Sequence, residues 1–279
     1  MKTLLNAVLL LVAATSFGQI GTRFPSEKKT VKDPITGQEL IFLTTKSEGD
    51  SKTYPTHPQW TSDDEWLIFR SNRVKGEAMA VNEKSGVLVQ VTEGGYNGTL
   101  CLAQKSMKLY FMRKGLEDKM QIIEVNLEAV FKDSESRKMK PVSAYERVCG
   151  TTNPEMGASG DMALDADEER VYFRVGKEEA AKYLDKSVVL EKSFGPRNMG
   201  AGPGGIGSMN IKTGELKHVV SVPFQIGHIQ SNIWNSGEIV FCWETGGKAP
   251  QRTWTVMADG TGLRPLYPES NFEWVTHEA

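Results

Sequence analysis

Cysteine is scarce in this 279-residue chain: Cys101, Cys149 and Cys242 are the only three, and none belongs to a C-x-x-C pair. An odd, scattered set excludes a disulfide framework, although one bridge stays open in an oxidising compartment. Cys101 and Cys242, beside strand residues, read as buried free thiols. Positive charge is not in excess either, with 33 Lys+Arg against 35 Asp+Glu. The phosphate-neutralising surface that nucleic acid requires is therefore missing, and nucleic acid is excluded as a partner. Long apolar runs are lacking beyond the first residues, which excludes stable membrane insertion. The one apolar stretch, Leu4 to Ala14, follows Lys2 and leads to the small-residue exit Ser16-Phe17-Gly18. That is the pattern of a secretory signal, so residues 1–18 are read as a signal peptide and 19–279 as a periplasmic or secreted domain. No cysteine sits at the exit, so a lipid anchor there is unsupported.

What the chain does have is a recurring phrase: a polar turn, then a tight apolar strand ending in Phe. It occurs as Trp60-Thr61-Ser62-Asp63-Asp64-Glu65-Trp66-Leu67-Ile68-Phe69 and as Ala103-Gln104-Lys105-Ser106-Met107-Lys108-Leu109-Tyr110-Phe111. It returns at Leu164 to Phe173 and at Trp234 to Phe241. Between copies lie Gly-containing turns before alternating strands, such as Asn82-Glu83-Lys84-Ser85-Gly86 and Asn210-Ile211-Lys212-Thr213-Gly214. This is hairpin chemistry repeated as four-stranded blades, which predicts an all-β propeller. The interval from Phe69 to Phe111 is 42 residues, one blade length, whereas the next two are 62 and 68 and require insertions. These are expected at 114–158 and 176–205, on loops, with a short helical segment at Glu178 to Leu184. The tract Gly200-Ala201-Gly202-Pro203-Gly204-Gly205 lacks the Gly-Lys-Ser/Thr of a phosphate loop and is read as a turn-rich loop. An N-terminal strand region at Gln38 to Thr45 and the opening of a fifth blade bring the count to about five. A further Phe-equivalent would fall beyond Ala279, so the ring is read as incomplete.

The candidate chemistry lies toward the C-terminus. Gln225-Ile226-Gly227-His228, Ile239-Val240-Phe241-Cys242, Arg252-Thr253-Trp254-Thr255-Val256, Ala258-Asp259-Gly260-Thr261-Gly262 and Thr276-His277-Glu278 follow in order. This stretch resembles the oligogalacturonate lyases, a polysaccharide-lyase family built on a seven-bladed propeller; upstream the likeness is only to a generic TolB-like propeller. The resemblance implies β-elimination on short pectic oligogalacturonides, with Arg252 as catalytic arginine, His277 as proton-abstracting base and His228 contacting substrate. It also implies manganese or another divalent metal in the full-length protein. The family's ligands, three histidines and a glutamine, would lie beyond Ala279, so no metal ligand is expected within this chain.

The chemistry suits those residue types. Elimination from a uronate removes a proton α to a carboxylate, and a fixed guanidinium stabilises the charge that builds there. A neutral imidazole, with an ordinary pKa of about 6.5, is a base near neutrality. Each residue also has a duller reading: His277 as a surface histidine, Arg252 paired with Glu244, His228 as a buried histidine satisfied by backbone. His57 is expected to shape a turn, His218 to lie on a polar strand face without a partner, and the tryptophans to pack between blades. Trp243 or Trp274 could offer a sugar-stacking face. Two other classes stay open: a non-catalytic propeller that binds a partner or glycan, and the propeller part of a secreted serine peptidase. The latter needs a G-x-S-x-G elbow, which these residues do not contain.

Overall fold

A computed structural model describes residues 18–190 and 193–276. Residues 1–17 of the signal segment and His277 thus lie outside the described residues. The first sheet contains β1 (Arg23–Phe24), β4 (Ser51–Lys52), β5 (Trp66–Arg70), β6 (Ala78–Asn82) and β7 (Leu88–Gln90), while β2 (Lys29–Lys32) and β3 (Glu39–Phe42) form a separate hairpin. The second comprises β8 (Asn97–Leu102), β9 (Lys108–Lys114), β10 (Met120–Asn126) and β11 (Glu146–Thr151), with helix α1 (Leu127–Ser136) inserted before β11. The third comprises β12 (Met162–Leu164), β13 (Arg170–Val175), β14 (Ala201–Asn210) and β15 (Leu216–Phe224), with helix α2 (Lys177–Ala181) after β13. The fourth runs β16 (Ile226–Ser231), β17 (Glu238–Trp243), β18 (Thr253–Met257) and β19 (Arg264–Pro265). All pairings are antiparallel within these four blade-like sheets, and among the described residues no strand follows β19. The anticipated fifth blade is not formed there.

The repeated phrase is the turn between the first two strands of each blade. A backbone bond closes it four times: Thr61 N–H to Trp66 O, Ala103 N–H to Lys108 O, Asp165 N–H to Arg170 O, and Asn232 N–H to Glu238 O, the last spanning one residue more. The Gly-containing phrase is the later hairpin. Asn82 and Asn210 end the third strands of their blades, and their side-chain oxygens accept from Ser85 N–H and Thr213 N–H. In the second blade Asn126 holds the same place, but its side chain caps α1 by accepting from Ala129 N–H at 3.0 Å. One residue type at one position therefore opens either a turn or a helix.

Strand alternation builds the core between blades. Phe111, with Leu100 of its own blade, faces Ile68 and Ala80 of the first, whereas its neighbour Tyr110 faces the third with Val171 and Phe173. Trp66 stacks on Phe131 of α1 at 4.0 Å between centroids. The inserted helix thereby covers an apolar seam. The glycine tract is not a loop: Ala201–Asn210 is a central, largely buried strand. A Cβ on Gly202 would stand 2.2 Å from Pro223 O, and one on Gly204 2.6 Å from Ile226 N. These glycines permit close backbone approach, not flexibility.

Candidate functional site

The inner strands β8, β12 and β16 lie side by side, and the segment after β4 reaches across to the last of them. Gly98 and Gly160 allow that crowding, since a Cβ on Gly98 would meet Gly160 O at 2.0 Å. On β16 the register slips between Gly227 and Gln230, and His228 adopts φ 51°, a conformation that favours glycine. Bulges and strained non-glycine residues are devices that aim a side chain.

Here the aimed group is an imidazole. Arg252 Nη2 lies 3.3 Å from His228 Nδ1, and Glu244 Oε2 lies 3.2 Å from His228 Nε2 and 3.7 Å from Arg252 Nη2. A guanidinium only donates and a carboxylate only accepts. Toward these two partners, neutral His228 is served by the tautomer with its proton on Nε2 and its lone pair on Nδ1. The hydroxyl of Tyr54, from the first blade, stands 3.0 Å from Nδ1 and 3.1 Å from Nε2. Equidistance means that it meets the ring broadside, aligned with neither lone pair.

Local structure fixes the neighbours. Glu244 follows β17, donates its N–H to Gln225 O, and receives Gly246 N–H on Oε1 at 2.8 Å. A side chain on Gly227 would put Cβ 2.8 Å from Glu244 Cβ, so the glycine leaves room for the carboxylate. Arg252 sits just before β18, 4% exposed, with its N–H on Glu269 Oε1 and its carbonyl accepting from Trp243 N–H. Cys242 is fully buried, its sulfur 3.9 Å from Glu244 Oε2. His228, Cys242 and Glu244 offer donor atoms that all lie within 4.8 Å of one another. A cleft of about 480 Å³ is lined by Pro55, Thr56, Gln230, Trp234, Thr253 and Tyr267, which include chain neighbours of Tyr54 and Arg252 but none of the clustered residues.

Of the residues expected from sequence, His228 and Arg252 are brought together, and neither is buried against apolar side chains alone. His277 lies outside the described residues. Tyr54 was not anticipated, and Glu244 and Cys242 had been assigned only an ion pair and a packing role. His57 is buried, with its ring Nε2 3.0 Å from Met162 O, and burial pushes its pKa below the ordinary imidazole value. It is a structural histidine. His218, expected to lack a partner, stacks on Tyr183 at 3.6 Å and contacts Ser221 Oγ. Trp243 stacks on Phe224 and donates to Gly200 O, but Trp234 and Trp274 are 88% and 57% exposed, so packing between blades does not explain them. All three cysteines are buried and none is in a disulfide. Among the described residues no helix is long and apolar enough to cross a membrane.

No family model and no curated protein matches the chain in sequence. Solved structures match in fold. An oligogalacturonate lyase in complex with manganese aligns over 91% of this chain and 62% of its own, with TM-score 0.69 and 18% identity. An oligogalacturonate lyase from Vibrio parahaemolyticus aligns over 93% and 64%, with TM-score 0.71 and 18% identity. TolB from Acinetobacter baumannii aligns over 92% and 55%, with TM-score 0.50 and 13% identity. The chain spans less than two thirds of the length of either lyase. At such identity the likeness carries the β-propeller fold.

Proposed function

We propose that the chain is the propeller region of an exported oligogalacturonate lyase-like protein that cleaves short pectic oligogalacturonides by β-elimination. The observation that carries this reading is the meeting of His228, on an inner strand, with Arg252 at 3.3 Å. A guanidinium held on the edge of its pocket by Glu244 is preorganised to receive a uronate carboxylate through its planar fork. As the C5 proton departs, charge grows on that carboxylate, and Arg252 stabilises it without reorganising. His277, the neighbour of Thr276, is assigned as the base that takes the proton. His228, its Nε2 proton held by Glu244, turns its Nδ1 lone pair toward Arg252 and the substrate.

Manganese does not enter this scheme. The donors gathered here include a thiol, whereas manganese suits carboxylate, carbonyl and water ligands, so no step is routed through it. A binding propeller without turnover is the second reading, favoured by the engagement of Arg252 with Glu244 in the protein as it stands.

The two separate experimentally. With digalacturonate, ultraviolet-absorbing unsaturated product is expected, and Arg252→Ala should lower kcat by about 10²–10³. His277→Ala should lower it by about 10²–10⁴. Folded variants that retain ligand while the parent shows no product would establish the binding reading.

A further inference from the structure

We propose that His228, Cys242 and Glu244 form a binding site for a thiophilic divalent cation of the zinc class, adjacent to Arg252. The inference rests on the donor geometry and stands apart from the lyase reading. Tetrahedral zinc holds nitrogen and oxygen donors at about 2.0–2.2 Å and sulfur at about 2.3 Å, which separates neighbouring donors by about 3.3–3.8 Å. The observed separations are 3.2 Å from His228 Nε2 to Glu244 Oε2 and 3.9 Å from Cys242 Sγ to the same oxygen. The imidazole and thiol donors lie within 4.8 Å of each other, so the side chains must draw together to close on a cation. Only the fully buried Cys242 calls for a soft partner, and a thiolate is what selects zinc over manganese.

The charges permit it. The nearby Arg252 guanidinium opposes a cation, but binding releases the thiol proton to solvent and leaves a thiolate, so two anionic donors face one fixed positive charge. The bound ion leaves the cluster with a single net positive charge. The proton on His228 Nε2 must then leave, and Nδ1 becomes the protonated nitrogen. That proton faces Arg252, which cannot accept it, so the guanidinium gives up its 3.3 Å contact with Nδ1 when the cation binds. Among the described residues three protein donors are available, and the fourth tetrahedral position calls for one more nitrogen, oxygen or sulfur donor.

The test uses the full chain, stripped of metal and titrated with Zn²⁺ against a chromophoric chelator, and separately with Mn²⁺ and Co²⁺. One equivalent of Zn²⁺ is expected, held at least about tenfold more tightly than Mn²⁺, and the Co²⁺ form should show thiolate-to-metal charge transfer in the near ultraviolet. Glu244→Gln and His228→Asn, with folding verified by circular dichroism, should each weaken Zn²⁺ by about tenfold to a hundredfold or more. Cys242→Ser should erase the cobalt band. Folded parent protein that takes up no zinc overturns the proposal, as does manganese binding equal to zinc, or unchanged zinc affinity in both folded variants. No substrate is present, so a failure of lyase activity leaves this result untouched.

Discussion

Glu244→Gln keeps the shape of the side chain and removes its charge, and the structure dictates where the damage falls. The two carboxylate oxygens accept from different donors, Gly246 N–H on Oε1 and His228 Nε2–H on Oε2. Glutamine offers one acceptor and one donor, so one of these bonds becomes donor against donor. If His228 changes tautomer to relieve it, its new Nδ1 proton faces the guanidinium of Arg252, and the conflict moves one residue along. The carboxylate charge 3.7 Å from a 4%-exposed guanidinium is also lost. At an effective dielectric of about 20 that attraction is about 4 kcal/mol gross, part of which offsets desolvation. A net destabilisation of about 2–4 kcal/mol is expected, a fall in Tm of about 5–15 °C for a domain of this size. Urea and thermal unfolding measure it. In a double-mutant cycle with Arg252→Met the coupling should be at least about 1 kcal/mol. A variant within about 0.5 kcal/mol of the parent, with no coupling to Arg252, would refute the argument that Glu244 organises this cluster.

Acid stability should depend on Glu27. Burial alone would raise its pKa, but hydrogen bonds from Arg73 and from the Thr45 and Lys46 N–H groups overcome that and hold it at about 2. Its contribution is present above the ordinary value of 4.5 and is lost as pH falls through about 2. The unfolding midpoint should therefore drop between those values, and Glu27→Gln should flatten the profile. Phe111, fully buried between the first two blades, should cost about 3–5 kcal/mol when replaced by Ala, read by denaturant unfolding. Phe272→Ser, at a side chain 99% exposed, should stay within about 0.5 kcal/mol by the same measurement.

The blades were legible because their signals are local. Thr61 N–H reaches Trp66 O and Ala103 N–H reaches Lys108 O across a few residues, so the turn chemistry that makes each bond sits in one readable phrase. The spacing from Phe69 to Phe111 followed from it. The glycine tract misled for a physical reason. Glycine serves turns through its backbone freedom, but in β14 it serves contact, where Pro223 O and Ile226 N would collide with a Cβ. That requirement belongs to the neighbouring strand and leaves no mark at positions 200–205 themselves.

The site divides along the same line. His228 and Arg252 were visible as residue types suited to an anion, but the partners that set their protonation and orientation were not. Tyr54 meets His228 across 174 residues, and that contact exists only because the blades curve until the first inner segment touches the fourth inner strand. Glu244 looked like a surface partner for Arg252, yet its value comes from serving two donors on opposite oxygens in a space that Gly227 leaves clear. Cys242 read as an inert thiol because burial usually makes it one. Its sulfur acquires meaning only beside an imidazole and a carboxylate, and the β-bulge at Gly227 to Gln230 is what turns the imidazole toward it. The bulge and the positive φ of His228 cost stability and contribute nothing to the ladder. A fold that needed only packing at this position would place glycine there, so the strain is most simply understood as the cost of presenting an imidazole to the Arg252–Glu244 pair.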